Sequence, residues 1–249
     1  MKTQFQTFRR GFTLLETVIA IGVLAVLLTG FMIVFAPAAA GIRKSMTVQE
    51  ADRLASTIEQ EIVNLRSGEE STDYVTGFDK AYRWIEDSMK KSSPEVVFVY
   101  QYRGSLTKSR TDGSPEPVKA TDGVPGADYA VVPMARRRTS LTSGSDPFFE
   151  KDLQALEGRV YAVKVKQLVY SGGQMIASTK EVIEDPTPGE AITGTTPPVS
   201  GKYPEAVIAF SAEFYNLQSS SPSFLKTGGK FDSSKLKTPV FTRNLAVRR

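Results

Sequence analysis

The sequence predicts an α+β fold in which a long N-terminal helix, first apolar on every side and then amphipathic, packs on an antiparallel β-sheet with long loops. Three observations predict it. From Thr17 to Ile42 no side chain is charged. Between Ala51 and Leu65 the apolar residues recur at helical spacing. After Gly68 the pattern changes to short runs of β-branched and aromatic residues, separated by stretches rich in Gly, Pro, Ser and Thr.

The uncharged run spans 26 residues. At 1.5 Å of rise each it would reach roughly 39 Å, enough to cross a hydrocarbon core of about 30 Å. Lys2, Arg9 and Arg10 precede it, which places that end in the cytoplasm; Arg43 and Lys44 beyond it reduce the asymmetry without reversing it. One carboxylate, Glu16, stands at the lip of the run. Twelve large apolar residues from Val18 to Phe35 favour insertion by roughly 4 to 7 kcal/mol in sum, more than the roughly 2.5 to 3.5 kcal/mol that one charge costs at the centre of a helix. An acid near the end is therefore tolerated, but anchoring does not require it, and an intramembrane ionisable group asks for a partner.

The helix is expected to continue past the apolar run to about Leu65, with Pro37 or Gly30 as the places where it would bend or loosen. At 100° per residue, Ala51, Leu54, Ala55, Ile58, Ile62 and Leu65 form one stripe, and Gln49, Arg53, Ser56, Gln60, Asn64 and Ser67 lie opposite. Val63 breaks the pattern, and Gly68 is the expected stop. A short helix is expected over Asp79–Lys91, and another helical turn over Asp152–Leu156. Strands are expected at Pro94–Gly104, Tyr129–Met134, Arg159–Tyr170, Gln174–Ile183, Ala206–Tyr215 and Pro239–Val247, with Gly172-Gly173 as a hairpin turn. Ile208, Phe210, Ala212 and Phe214 should face the core, with Ser211 and Glu213 outward. Arg103–Asp128, Glu184–Glu205 and Gln218–Thr238 are too long for tight turns and read as surface excursions.

Composition narrows the chemistry. The chain has 249 residues, 41% of them hydrophobic, which is room for a sizeable core. It contains neither His nor Cys. That removes imidazole-based triads, thiolate nucleophiles, disulfides and thiolate metal sites. An enzyme would need a carboxylate-only centre, for which no motif is present, so no catalytic residue, cofactor or metal ligand is assigned. Asp112-Gly113 and Asp122-Gly123 read as turn formers; an oxygen-only calcium site in these loops stays open, although no EF-hand spacing is present. The net charge of +4 has a local origin: without Lys2, Arg9 and Arg10 the chain keeps 28 basic against 27 acidic side chains. Arg136-Arg137-Arg138 reads as a solvated strand end. Nucleic acid is accordingly not expected among the partners.

Basic residues, Gly11, then Phe12-Thr13-Leu14-Leu15-Glu16 and a long apolar helix resemble the class III signal of type IV pilins and type II secretion pseudopilins. The resemblance covers about the first 55 residues. It implies that a prepilin peptidase cuts between Gly11 and Phe12 and methylates the new N-terminus at Phe12. Glu16, fifth after the cut, would then set register as subunits stack their helices into a filament. An α-amino group freed at Phe12 would supply the countercharge that a carboxylate in a dry environment needs. The implied divisions are a leader over 1–11, a transmembrane and filament-core helix over 12–42, its amphipathic continuation over 43–67 and a β-rich globular domain over 68–249. Implied partners are the peptidase, other pilin or pseudopilin subunits, an inner-membrane assembly platform and membrane lipid. The implied location is the bacterial inner membrane, single-pass with a periplasmic or extracellular C-terminal domain, and then the filament.

Pro37 lies further along the helix than the family's usual proline, and no cysteine pair closes a C-terminal loop. With about 180 residues after the helix, these features favour a minor pilin or pseudopilin over a major pilin. Two other readings stay open. Ala38-Ala39-Ala40-Gly41 offers a signal-peptidase site, although the apolar run is longer than an ordinary signal core and carries an acid. The other is a plain signal anchor in which Gly11-Phe12 and Glu16 are accidental. In either case the chain would be an exported or membrane-anchored β-rich binding module that does not polymerise.

Overall fold

A computed structural model describes residues 13–66, 74–91, 94–119, 121–138, 147–186, 199–226 and 229–249. The chain divides into two compact units, Met1–Thr47 and Val48–Arg249, and helix α1 (Leu14–Glu61) contributes to both.

In the first unit α1 is apolar on every side. Its large hydrophobic side chains from Leu14 to Met46 are each 55 to 86% exposed. Thr17 and Thr29 turn their hydroxyls back onto the carbonyls of Thr13 and Ala25, at 3.2 and 2.8 Å, so these polar groups are satisfied within the helix. Pro37 lies inside α1, where it removes one backbone donor.

In the second unit seven strands form one antiparallel sheet: β1 (Val96–Ser109), β2 (Pro115–Pro117), β3 (Tyr129–Arg138), β4 (Leu156–Ser171), β5 (Gln174–Ala177), β6 (Val207–Asn216) and β7 (Phe241–Arg248). β1 pairs with β3 along one edge and with β4 along the other, where β2 takes over beyond Tyr102. β4 pairs onward with β6, and β6 with β7. The expected hairpin forms between β4 and β5, with Gly172 and Gly173 at φ +58° and +84°, a turn that only glycine adopts without strain at both positions.

One face of the sheet receives the expected stripe of α1. Ala51, Leu54, Ala55, Ile58 and Ile62 are buried, together with Phe78, Tyr82 and Ile85 of α2 (Gly77–Met89), against Val163, Val165, Ile208, Phe210, Ala212 and Phe214. α1 ends at Glu61, seven residues before Gly68. The chain just beyond it meets α2: buried Lys80 donates from Nζ to Asn64 O at 2.6 Å.

The second face departs from expectation. It carries its own core, in which Phe98, Tyr100, Tyr102, Met134, Ala162 and Tyr215 pack against α3 (Pro147–Asp152), Leu153, Leu225 and Phe231. Two polar stretches read as surface excursions supply parts of this layer. β1 runs on to Ser109, Asp112 and Ser114 are buried, and Gln218–Thr238 folds into the short helix α4 (Pro222–Leu225) and a 3-10 turn at Ser233–Lys235. Within Glu184–Glu205, Glu184, Ser200 and Tyr203 are also buried. Ser211, expected outward, is 7% exposed. Asp152 ends α3 and Leu156 begins β4, so the expected turn over Asp152–Leu156 lies mostly earlier in the chain.

Candidate functional site: the N-terminal segment

The helix start is built by its own residues. Thr13 is the last non-helical residue, and its hydroxyl accepts from the backbone N–H of Glu16 at 3.2 Å. Glu16 answers through Oε2, which accepts from the Thr13 backbone N–H and from the Thr13 hydroxyl, both at 2.9 Å. This is a reciprocal capping box, Thr-x-x-Glu, and it satisfies donors that every helix start leaves free. The carboxylate therefore has a partner within its own chain. Its second oxygen, Oε1, has none among the described residues, and the side chain is exposed.

Gly11 and Phe12, the expected cleavage and methylation residues, and the leader with Lys2, Arg9 and Arg10, lie outside the described residues. The structure thus describes one of the three singled-out residues, Glu16. It adds Thr13, whose role is legible in retrospect from the spacing Thr13-Leu14-Leu15-Glu16 ahead of an apolar run.

The reading of the arginine triplet as a solvated strand end is corrected for Arg136 and Arg137; the side chain of Arg138 lies outside the described residues. Arg136 is 6% exposed and binds Asp112 Oδ2 from Nη2 at 2.9 Å, Ser114 Oγ at 3.3 Å and Asp152 Oδ2 from Nε at 3.3 Å. Tyr100 donates to Asp152 at 2.5 Å, and Arg110 Nη2 lies 2.8 Å from Asp152 Oδ1 as an ion pair without hydrogen-bond alignment. Arg137 pairs with Asp87 and with Glu95. Burial opposes ionisation of Asp112, but donors from Ser114 and Arg136 outweigh it and hold the carboxyl at about 2. Burial dominates at Asp152 and pushes it up despite its cationic neighbours. Arg136 is thus paired inside the fold and half-buried Arg137 is paired beside it, so neither forms a solvated strand end.

Gly113 and Gly123 adopt φ +78° and +83° in the turns expected of Asp112-Gly113 and Asp122-Gly123. Among the described residues no three carboxylates gather in a way that could hold a metal ion. One described helix, α1, is long and apolar enough to cross a membrane.

Residues 7–32 match the family described as the prokaryotic N-terminal methylation motif, the class III signal of type IV pilins and pseudopilins. No curated protein and no solved structure gives a significant match to the chain. The chain carries a pilin-type processing signal on an apolar helix. That combination supports a type IV pilin-like or pseudopilin subunit, implies processing by a prepilin peptidase and fits anchoring in an inner membrane.

Proposed function

We propose that the chain is a structural subunit, a minor pilin or pseudopilin, of a type IV pilus, a type II secretion pseudopilus or a related filament. The observation that carries this reading is the methylation motif over residues 7–32, running directly into a helix that is apolar on every side and holds one carboxylate. A prepilin peptidase cuts between Gly11 and Phe12 and the new amine at Phe12 is methylated. N-terminal cytoplasmic and C-terminal outward, the subunit waits in the inner membrane until the assembly platform passes it into the fibre.

The capping box supports a division of labour within Glu16. Oε2 is committed to Thr13, which fixes the side-chain rotamer, while Oε1 is free to accept from the α-amino group of a neighbouring copy. A carboxylate aimed by its own helix gives up less rotamer freedom when the neighbour arrives.

Mass spectrometry of the N-terminal peptide from cells should find N-methylated Phe12. A chain beginning at Gly41 would instead indicate a removed signal peptide, and an intact Met1 a plain anchor; either leaves an exported or anchored β-rich module that does not polymerise. Glu16→Ala should still insert and be processed, yet be absent from sheared filaments. Normal incorporation of that variant would remove the role given to the carboxylate.

A further inference from the structure

On the sheet face opposite α1, a cleft of about 440 Å³ opens between the C-terminal end of α2, the outer sides of β4 and β6, and the segment after β5. That volume lies within the range of about 300 to 1,000 Å³ typical of small-molecule sites. Its walls carry five lysines, Lys90, Lys91, Lys164, Lys166 and Lys180. Four are answered by carboxylates: Lys90 by Asp87 at 2.5 Å, Lys91 by Glu181 at 3.6 Å, Lys166 by Glu213 at 3.0 Å and Lys180 by Glu184 at 2.5 Å. Lys164 is the exception. The residue directly across from it on β6 is Glu213, but that carboxylate gives one oxygen to Lys166 and the other to the Tyr215 hydroxyl at 2.7 Å. The Lys164 ammonium is left over the Tyr215 ring, 5.3 Å from its centre, with no salt bridge among the described residues.

Half-buried and two residues from a like charge on the same strand face, Lys164 is held below the usual lysine range by burial, which outweighs the attraction of Glu213 and is reinforced by Lys166. A cation kept this way costs stability, and a perturbed group lining a cleft is a candidate ligand-binding group. Nothing in the packing requires it, since a methionine of similar length would cover Tyr215 as well.

We propose that this cleft binds the oxyanion of a small ligand, a phosphate or sulfate group, with Lys164 as its principal countercharge and Lys166 beside it. The bound oxyanion supplies the direct ion-pair contact that Glu213, its oxygens bonded to Lys166 and Tyr215, does not make with Lys164, and the surrounding volume takes the remainder of the ligand. The site lies wholly within the Val48–Arg249 unit and is independent of the filament reading.

The test uses the full chain in non-ionic detergent and follows acylation of individual lysines by mass spectrometry near neutral pH. Inorganic phosphate or sulfate should slow acylation of Lys164 several-fold relative to chloride at equal ionic strength, while exposed Lys108 is unaffected. A second arm replaces soluble phosphate with micelles containing phosphatidylglycerol or phosphatidylcholine. Protection confined to phosphatidylglycerol assigns the oxyanion to a lipid headgroup, and protection by inorganic phosphate assigns it to a soluble ligand. Equal Lys164 rates in every arm overturn the proposal. Independently, Lys164→Met should raise the melting temperature in chloride and abolish any rise caused by phosphate; a variant that keeps the full phosphate-dependent rise overturns it as well.

Discussion

Arg136 sits near the end of a strand, where three consecutive arginines suggest solvent, yet its guanidinium is enclosed by Asp112, Asp152 and the ring of Phe148, whose centre is 5.3 Å away. Burial at such a site depends on every charge being answered, because removing one partner leaves another stranded in a low dielectric. The cluster also gives the molecule a defined response to acid. Asp112 titrates at about 2 in the folded chain, below the usual carboxylate range, so its contribution to stability is complete above its unfolded pKa and disappears as the pH falls through its folded one. Asp152 is shifted the other way, and its contribution is lost as pH rises through its folded value. Urea unfolding followed between about pH 4 and pH 2 should therefore show stability falling in the wild type, with a shallower fall in Asp112→Asn. An unchanged slope would mean that Asp112 is not the acid-sensitive member of the cluster.

Among the elements, the junction between α1 and α2 is the tightest. A Cβ added at Gly77 would lie 2.1 Å from the carbonyl oxygen of Val63, a backbone atom that cannot rotate aside. Glycine here serves close approach, which lets Lys80 reach the Asn64 carbonyl just past α1 and Thr76 cap α2 by accepting from Asp79 N–H at 3.1 Å. Gly77→Ala should destabilise the globular unit by roughly 1 to 3 kcal/mol, the range for overpacking a filled interior. Thermal unfolding within a few tenths of a degree of wild type would contradict that closeness. β3, which pairs on one side with β1, carries exposed Pro133 at its middle, a residue that discourages further strand addition at an edge.

At the scale of the whole molecule, the legible parts were those where one physical signal acts alone. The stripe from Ala51 to Ile62 and the alternation of Val163 and Val165 with Lys164 and Lys166 came through because a single buried face imposes a single period. The second core did not, because its layer is assembled from Leu225, Phe231, Asp112 and Ser114, scattered through polar segments with no period to read. Arg136 was misplaced for the same reason: its partners Asp112 and Asp152 lie 24 and 16 residues away and are brought together only by the sheet. At the N-terminus the short motif was legible, whereas the reciprocal bonding of Thr13 and Glu16 needed coordinates to be seen. That bonding has a consequence for the order of events. The first described helical residue is Leu14, and the bonds that lock Thr13 to Glu16 all lie after the proposed cut between Gly11 and Phe12. A chain that begins at Phe12, as proposed, would keep the whole cap, its helix starting two residues behind the new amine.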